Sequence, residues 1–364
     1  MMYPLNHVAS TLNPKSSLQK ILAIDIGAGT QDVLLYNSEL TPENCISLIL
    51  PTHSRNFARL IERCEGDIFI EGDPIGGGAI PSLLKSHIKK GSRVIMSEDA
   101  AYTLRNNINE VREYGIQINS SGLNDFNGTK ICLHEIDFAL LKEFLANYGE
   151  DLDIDLVAIA VQDHGTQPEG TSNREFRFKM IEERLRKDNR PESFVYTYDE
   201  IPACFKRMKA VARTAKMQSR SEVLVMDTSF AAILGCLQES QTSLFVNVGN
   251  SHTLAAMISK GKIEGVMEHH TSCLNTEKLD DLIVRFMKSE ITSQEILNDG
   301  GHGAVILNTK IDDKKEIIVT GPNRGILKNS RLNVRFAAPH GNMMLTGPYG
   351  LVKGAQLKYS SSQT

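Results

Sequence analysis

Two glycine-punctuated apolar hairpins, far apart in one chain, restrict this sequence more than any other feature. The first occupies residues 21–36, where two apolar runs flank Asp25-Ile26-Gly27-Ala28-Gly29-Thr30-Gln31-Asp32. Apolar runs of this length bounded by glycine predict strands, and Gly27 and Gly29 supply the backbone freedom for a tight reversal. The second occupies residues 243–258 and carries Asn247-Val248-Gly249-Asn250-Ser251-His252 at its turn. The exposed amides of such a turn can form an anion-binding concavity, and Asp25, at the end of a buried strand, is placed to hold the hydrated Mg²⁺ that accompanies a polyphosphate. One such turn alone is an ordinary hairpin. Two that face each other can clamp a phosphate chain.

The global numbers allow this arrangement. A length of 364 residues is enough for two domains, each with its own core. With 41% hydrophobic and 23% charged residues, the chain is neither disordered nor membrane-like in composition. A formal net charge of −4 gives no general reason to bind nucleic acid or an anionic membrane, so any phosphate site must be local. No apolar run is long enough to predict a spanning helix. Residues 1–19 mix Pro, Asn, Ser and Lys without a signal-peptide core and read as a flexible leader on a cytoplasmic protein. The six cysteines are scattered, with no C-x₂-C pair, and read as reduced core residues.

Strands alternate with helical stretches along the chain. After the first hairpin the patterning predicts strands over 45–51, 67–71, 93–96 and 156–161, and helices over 56–64, 83–89, 98–114 and 138–148. The glycine-rich segment 72–79 lacks the Lys-Ser/Thr of a Walker loop and reads as a place where a neighbouring element comes close. Residues 119–129 read as a loop. The helix expected over 174–187 interleaves Glu175, Glu182 and Glu183 with its cations and reads as a solvated face.

Residues 222–235 read as a strand, a capping Thr or Ser, and an Ala-rich helix, followed almost directly by the second hairpin and, at residues 316–320, by a strand ending at Gly321-Pro322-Asn323. In this order the elements resemble the superfamily of actin, the sugar kinases and the heat-shock chaperone ATPases. That resemblance implies an α/β, two-domain actin-like ATPase fold: a duplicated ribonuclease H-like unit with an interdomain cleft. Domain I would span 20–239 with inserted subdomain segments and domain II 240–340, with 341–364 packing back on domain I. The cofactors implied are ATP and Mg²⁺. Gly27, Gly29, Thr30 and Gln31 would cradle one side of the phosphates, while Asn247, Gly249, Asn250, Ser251 and His252 would close the other. Gly321 and Pro322 would lie against the adenosine, Asp25 would hold Mg²⁺ through water, and Asp227 would stand near the attacking water as general base. The chain departs from the superfamily at the second turn, where Asn247 replaces the usual Asp and Asn250 a Gly, which removes one metal-organising carboxylate.

A second resemblance is to a prokaryotic family labelled as pyruvate formate-lyase activating enzymes. It rests on residues 161–165 (Val-Gln-Asp-His-Gly), 268–271 (Glu-His-His-Thr), 300–303 (Gly-Gly-His-Gly) and 341–348. True activating enzymes hold an iron–sulfur cluster on a C-x₃-C-x₂-C run, which these cysteines do not form, so the radical chemistry of that label is not expected.

His164, His252, His269, His270 and His302 all fall beside turns, where they can form a metal or proton-transfer site. Adjacent His269 and His270 would face opposite ways, and the preferred reading is hydrogen-bonded or substrate-positioning histidines. The leading functional expectation is slow ATP hydrolysis, or transfer of the γ-phosphoryl to an unknown small acceptor placed near Asp163 and His164. The alternatives are a non-catalytic sensor or scaffold that uses the same cleft, with a protein partner possible, and a metal-dependent hydrolase built on the Asp/His turns.

Overall fold

The computed structural model describes residues 18–119, 126–238, 242–308 and 316–361. The leader expected over 1–19 and the loop expected over 119–129 therefore fall largely outside the described residues, as does the boundary expected after residue 239. Strands β1 (Lys20–Ile26), β2 (Thr30–Asn37) and β3 (Ile46–Pro51) form an antiparallel meander. An inserted parallel sheet of β4 (Ile68–Gly72), β5 (Val94–Met96), β6 (Gln117–Ile118) and β7 (Thr129–Leu133) follows, in the order β6-β5-β4-β7. The chain then returns to the first sheet through β8 (Leu156–Val161), β9 (Val195–Thr197) and β10 (Glu222–Met226), completing the order β3-β2-β1-β8-β10-β9.

The rest of the chain repeats the plan. Strands β11 (Ser243–Val248), β12 (His252–Ser259) and β13 (Lys262–His270) make a second antiparallel meander. They are joined by β14 (Gly303–Ile306), β15 (Glu316–Thr320) and β16 (Val334–Phe336) in the order β14-β13-β12-β11-β15-β16. In each sheet the first strand of the meander pairs antiparallel with the second and parallel with a later strand, β1 with β8 and β11 with β15. β8 and β11 are buried along their whole length, as near-continuous apolar runs require when both faces of a sheet are covered.

One core joins the two sheets. It takes in Ile21 and Ala158 from the first, Phe245 and Leu254 from the second, and Phe230 and Leu351 from two helices between them, Thr228–Cys236 and Thr346–Ser361. Those helices touch backbone to backbone: a Cβ added to Gly235 would lie 1.9 Å from the Thr346 carbonyl oxygen, and one on Gly350 1.8 Å from that of Ala231. Among the described residues, no helix is long and apolar enough to cross a membrane.

Three local expectations need correction. The helix expected over 98–114 is two short ones, Glu98–Ala101 and Ile108–Glu113, because the Asn107 side chain accepts from the Asn109 amide and starts the second afresh. The cap of helix Thr228–Cys236 is Asp227 rather than a Thr or Ser, its Oδ1 accepting from the Ser229 amide at 3.0 Å. The helix Asn173–Lys187 is no simple solvated face. Its Arg186–Glu182 pair is exposed, but Arg177, Phe178, Ile181 and Leu185 are buried.

Candidate functional site

The two hairpin turns close in the same way. The Gly27 amide donates to the Thr30 carbonyl at 3.0 Å, and the Gly249 amide to the His252 carbonyl at 2.9 Å. They also meet, for a Cβ on Gly29 would stand 2.6 Å from Asn250 Nδ2, so glycine is what lets the turns approach. Between them lies a cavity of about 270 Å³. Of the residues singled out from sequence, Asp25, Gly27, Thr30, Asn247, Gly249, Asn250, Ser251, His252, Gly321 and Pro322 line it. Gly321 adopts φ +95°, and a Cβ there would lie 2.4 Å from the Val248 carbonyl oxygen. Asn323 then ties this bend to the second turn, its amide donating to Val248 O and its side chain to Gly249 O, each at 3.0 Å.

Five expected site residues do not line this cavity, Gly29 at the meeting of the turns among them. Gln31 is paired with Ile26 across the hairpin, one position out of phase with Asp25, so its side chain takes the other face of the sheet. Asp32 is the residue opposite Asp25, and it lines the cavity. Asp227 does not line the cavity. One of its oxygens caps the helix and the other accepts from Arg177 Nη1 at 2.8 Å, while the neighbouring Thr228 and Ser229 face the cleft. Asp163 is spent on backbone, accepting from the amides of Gly165 at 2.8 Å and Met208 at 3.0 Å. Asp163 and His164 line a second, adjoining cavity of about 200 Å³, which shares Gly76, Gly77, Gln162 and Arg207 with the first.

Asp25 and Asp32 give the cleft its electrostatic character. Burial pushes the Asp25 carboxyl up to about 8, with the charges of Asp32 and Asp227 adding to the rise and a 2.5 Å hydrogen bond from Thr228 Oγ1 opposing it. Burial likewise lifts Asp32 to about 7, against a 3.3 Å hydrogen bond from the Thr30 hydroxyl. Asp32 Oδ1 is buried with no hydrogen-bond partner. Two adjacent desolvated carboxyls with an unsatisfied oxygen are a donor set that fits a hydrated Mg²⁺, whose charge would let both ionise.

Other cleft residues were not evident from sequence. The C-terminal segment supplies Met343, Met344, Thr346 and Gly347, and a Cβ on Gly347 would fall 1.9 Å from Asp25 Oδ2. The glycine-rich loop after β4 contributes Gly76, Gly77 and Gly78 to the lining. It is also a place of close approach, since a Cβ on Gly72 would lie 2.3 Å from Leu133 O and one on Gly77 2.6 Å from Thr103 O. Glu135, 1% exposed, holds this loop by accepting from the Gly76 amide at 2.8 Å and from Arg207 Nε at 2.5 Å.

Beneath the cleft, Arg177 joins the two halves. Its Nε and Nη2 donate to Glu268 of β13, both at 2.8 Å, while Nη1 donates to Asp227 and, at 3.1 Å, to the Asp163 carbonyl. The guanidinium beside it holds the buried Glu268 carboxyl far below the usual carboxylate range, against the opposing effect of burial.

A doubled sheet of this strand order, with a glycine turn from each copy meeting over one cleft, is the actin-like ATPase fold. The chain matches the model of the family described as "Putative pyruvate format-lyase activating enzyme (DUF1786)" over residues 75–326, and it belongs to that family. No curated protein matches it. Among solved structures it is similar to the ethanolamine utilization protein EutJ of Carboxydothermus hydrogenoformans, at 10% identity and a TM-score of 0.33 over 94% of this chain and 91% of that one. It is also similar to MreB5 of Spiroplasma citri bound to ADP, at 13% identity and a TM-score of 0.34 over 95% and 97% of the two chains. A third similar structure is a Bacteroides thetaiotaomicron protein described as having an actin-like ATPase fold and unknown function, at 10% identity and a TM-score of 0.36 over 92% and 96%. As for the family's label, all six cysteines are free, and among the described residues none joins a cluster able to hold a metal ion.

Proposed function

We propose that this protein binds ATP with Mg²⁺ in the cleft and transfers the γ-phosphoryl to a small acceptor in the adjoining cavity, with slow hydrolysis when no acceptor is present. The observation that carries the reading is the convergence of the two glycine turns on one cavity that also contains Asp25 and Asp32. Residues 27–30 and 249–252 grip the phosphates from opposite sides, Gly321 and Pro322 lie along the nucleoside, and Asp25 and Asp32 hold the water shell of the cation. Bound Mg²⁺ neutralises charge on the phosphates. Phosphoryl transfer relies mainly on positioning and electrostatics, so it tolerates the commitment of Asp227 and Asp163 to structural hydrogen bonds. Hydrolysis suffers more, because no carboxylate is left at the expected place to activate water. Exposed Lys206 lines the adjoining cavity, which suits an anionic acceptor, while Arg207 beside it is paired with Glu135.

Calorimetric titration with ATP tests the proposal. Saturable binding that weakens at least about tenfold on omitting Mg²⁺, or in Asp25→Asn, is expected. Absence of saturable binding, or binding indifferent to Mg²⁺, sinks it. The second reading, a sensor that closes on nucleotide without turnover, draws on the same commitment of Asp227 and Asp163. Phosphate release above the uncatalysed rate that is lost in Asp25→Asn excludes it.

A further inference from the structure

Three histidines from three separate segments meet where the main cleft and the adjoining cavity share a wall. His164 follows β8, His252 opens β12, and His302 lies just before β14, so both halves of the molecule contribute. Their ligand-type nitrogens all lie within 4.8 Å of one another, and His164 Nε2 stands 3.1 Å from His302 Nε2. Two nitrogens bound to one tetrahedral ion at ~2.0–2.1 Å are separated by roughly 3.3 Å, so this spacing is close to that of a shared ion. The neighbouring His269 is turned elsewhere, to Asp299 and its own chain, with Nε2 3.0 Å from Asp299 Oδ2.

Hydrogen bonding accounts for only part of the cluster, the one bond between His164 Nε2 and His302 Nε2. Both ring nitrogens of His252 and Nδ1 of His302 are buried without a partner, and His302 is fully buried. A single ion takes one nitrogen from each ring and so satisfies at most two of these three. The ion pair of Arg177 with Glu268 lies beside the histidines, and Gln162 Nε2 adds a hydrogen bond to Glu268 at 3.3 Å.

We propose that His164, His252 and His302 bind one divalent transition-metal ion of the zinc type, with a remaining coordination position open to a ligand oxygen. His252 lines the main cleft and His164 the adjoining cavity, so an ion held between them orients an oxygen donor at the junction of the two. This site shares no ligand with the Asp25/Asp32 pair, although His252 also lines the main cleft.

The test is to strip the full-length protein with chelator, then titrate it with Zn²⁺ by calorimetry and with Co²⁺ by visible absorption. About one ion per chain, with the intense absorption of tetrahedral Co²⁺, is expected. The more exposed His164→Gln and His252→Asn should each weaken binding at least about tenfold while circular dichroism stays unchanged. Asp32→Asn should leave the Co²⁺ spectrum intact, which separates this site from the nucleotide cleft. Substoichiometric uptake by the folded wild type, or uptake unaltered in both histidine variants, overturns the proposal.

Discussion

The two hairpin turns share a backbone and differ in chemistry. Counted from the glycine that closes each turn, Asp25 corresponds to Asn247, Thr30 to His252 and Asp32 to Leu254. The first hairpin thus opposes two carboxyls across its strands where the second opposes an amide and a leucine. The residue that hydrogen-bonds Asp32 in the first copy is, in the second, the histidine that joins the cluster. The second half repeats the turn without repeating the pair of carboxyls. Acidic chemistry stays with the first half, and the second half contributes neutral donors and imidazoles.

The largest effect should come from cutting the link between the copies. Arg177→Met leaves Glu268 and Asp227 buried without a counter-charge and should lower stability to urea by about 3–5 kcal/mol. A loss below about 1 kcal/mol would mean that the halves do not depend on this ion pair. Next comes Asp32→Leu, which gives the first hairpin the residue of the second. ATP affinity in the presence of Mg²⁺ should fall on the order of a hundredfold, and the remaining binding should no longer respond to Mg²⁺. Retained Mg²⁺ dependence would show that the asymmetry between the turns does not govern cation binding. The smallest change is the reverse exchange, Asn247→Asp, which restores a carboxylate in the second turn. We expect it to raise ATP turnover a few-fold with little change in ATP affinity, as read by a phosphate-release assay, and unchanged turnover would mean that the asparagine is not what slows the reaction.

The scaffold was readable in the sequence where local and global signals agree. The strands of both hairpins and β8 are apolar runs buried on both faces, and their glycines sit where the turns close. Residues whose role depends on contacts with distant segments were not readable. Arg177 sits among exposed charges on a helix whose local pattern cannot tell that one guanidinium turns inward to meet Glu268. Asp227 has the position of a general base, but the same position offers it a helix cap and an arginine, and these take both oxygens. Asp32 had a signal that was available, since the two-residue period of a tight hairpin sets it opposite Asp25 and sends Gln31 to the other face. The histidine trio arises from three segments whose meeting only the assembled sheets determine.

Gly347 rests on Asp25, so the helix Thr346–Ser361 completes a wall begun by β1. A nascent chain can form the opening hairpin early, yet it has no finished cleft until residues 343–347 have emerged and folded back, a contact of very long sequence separation that forms late. Under the proposed function, nucleotide retention would report on whether the chain has folded through to this helix. A chain clipped before Met343 would keep both glycine turns and still lack the floor on which Asp25 is held.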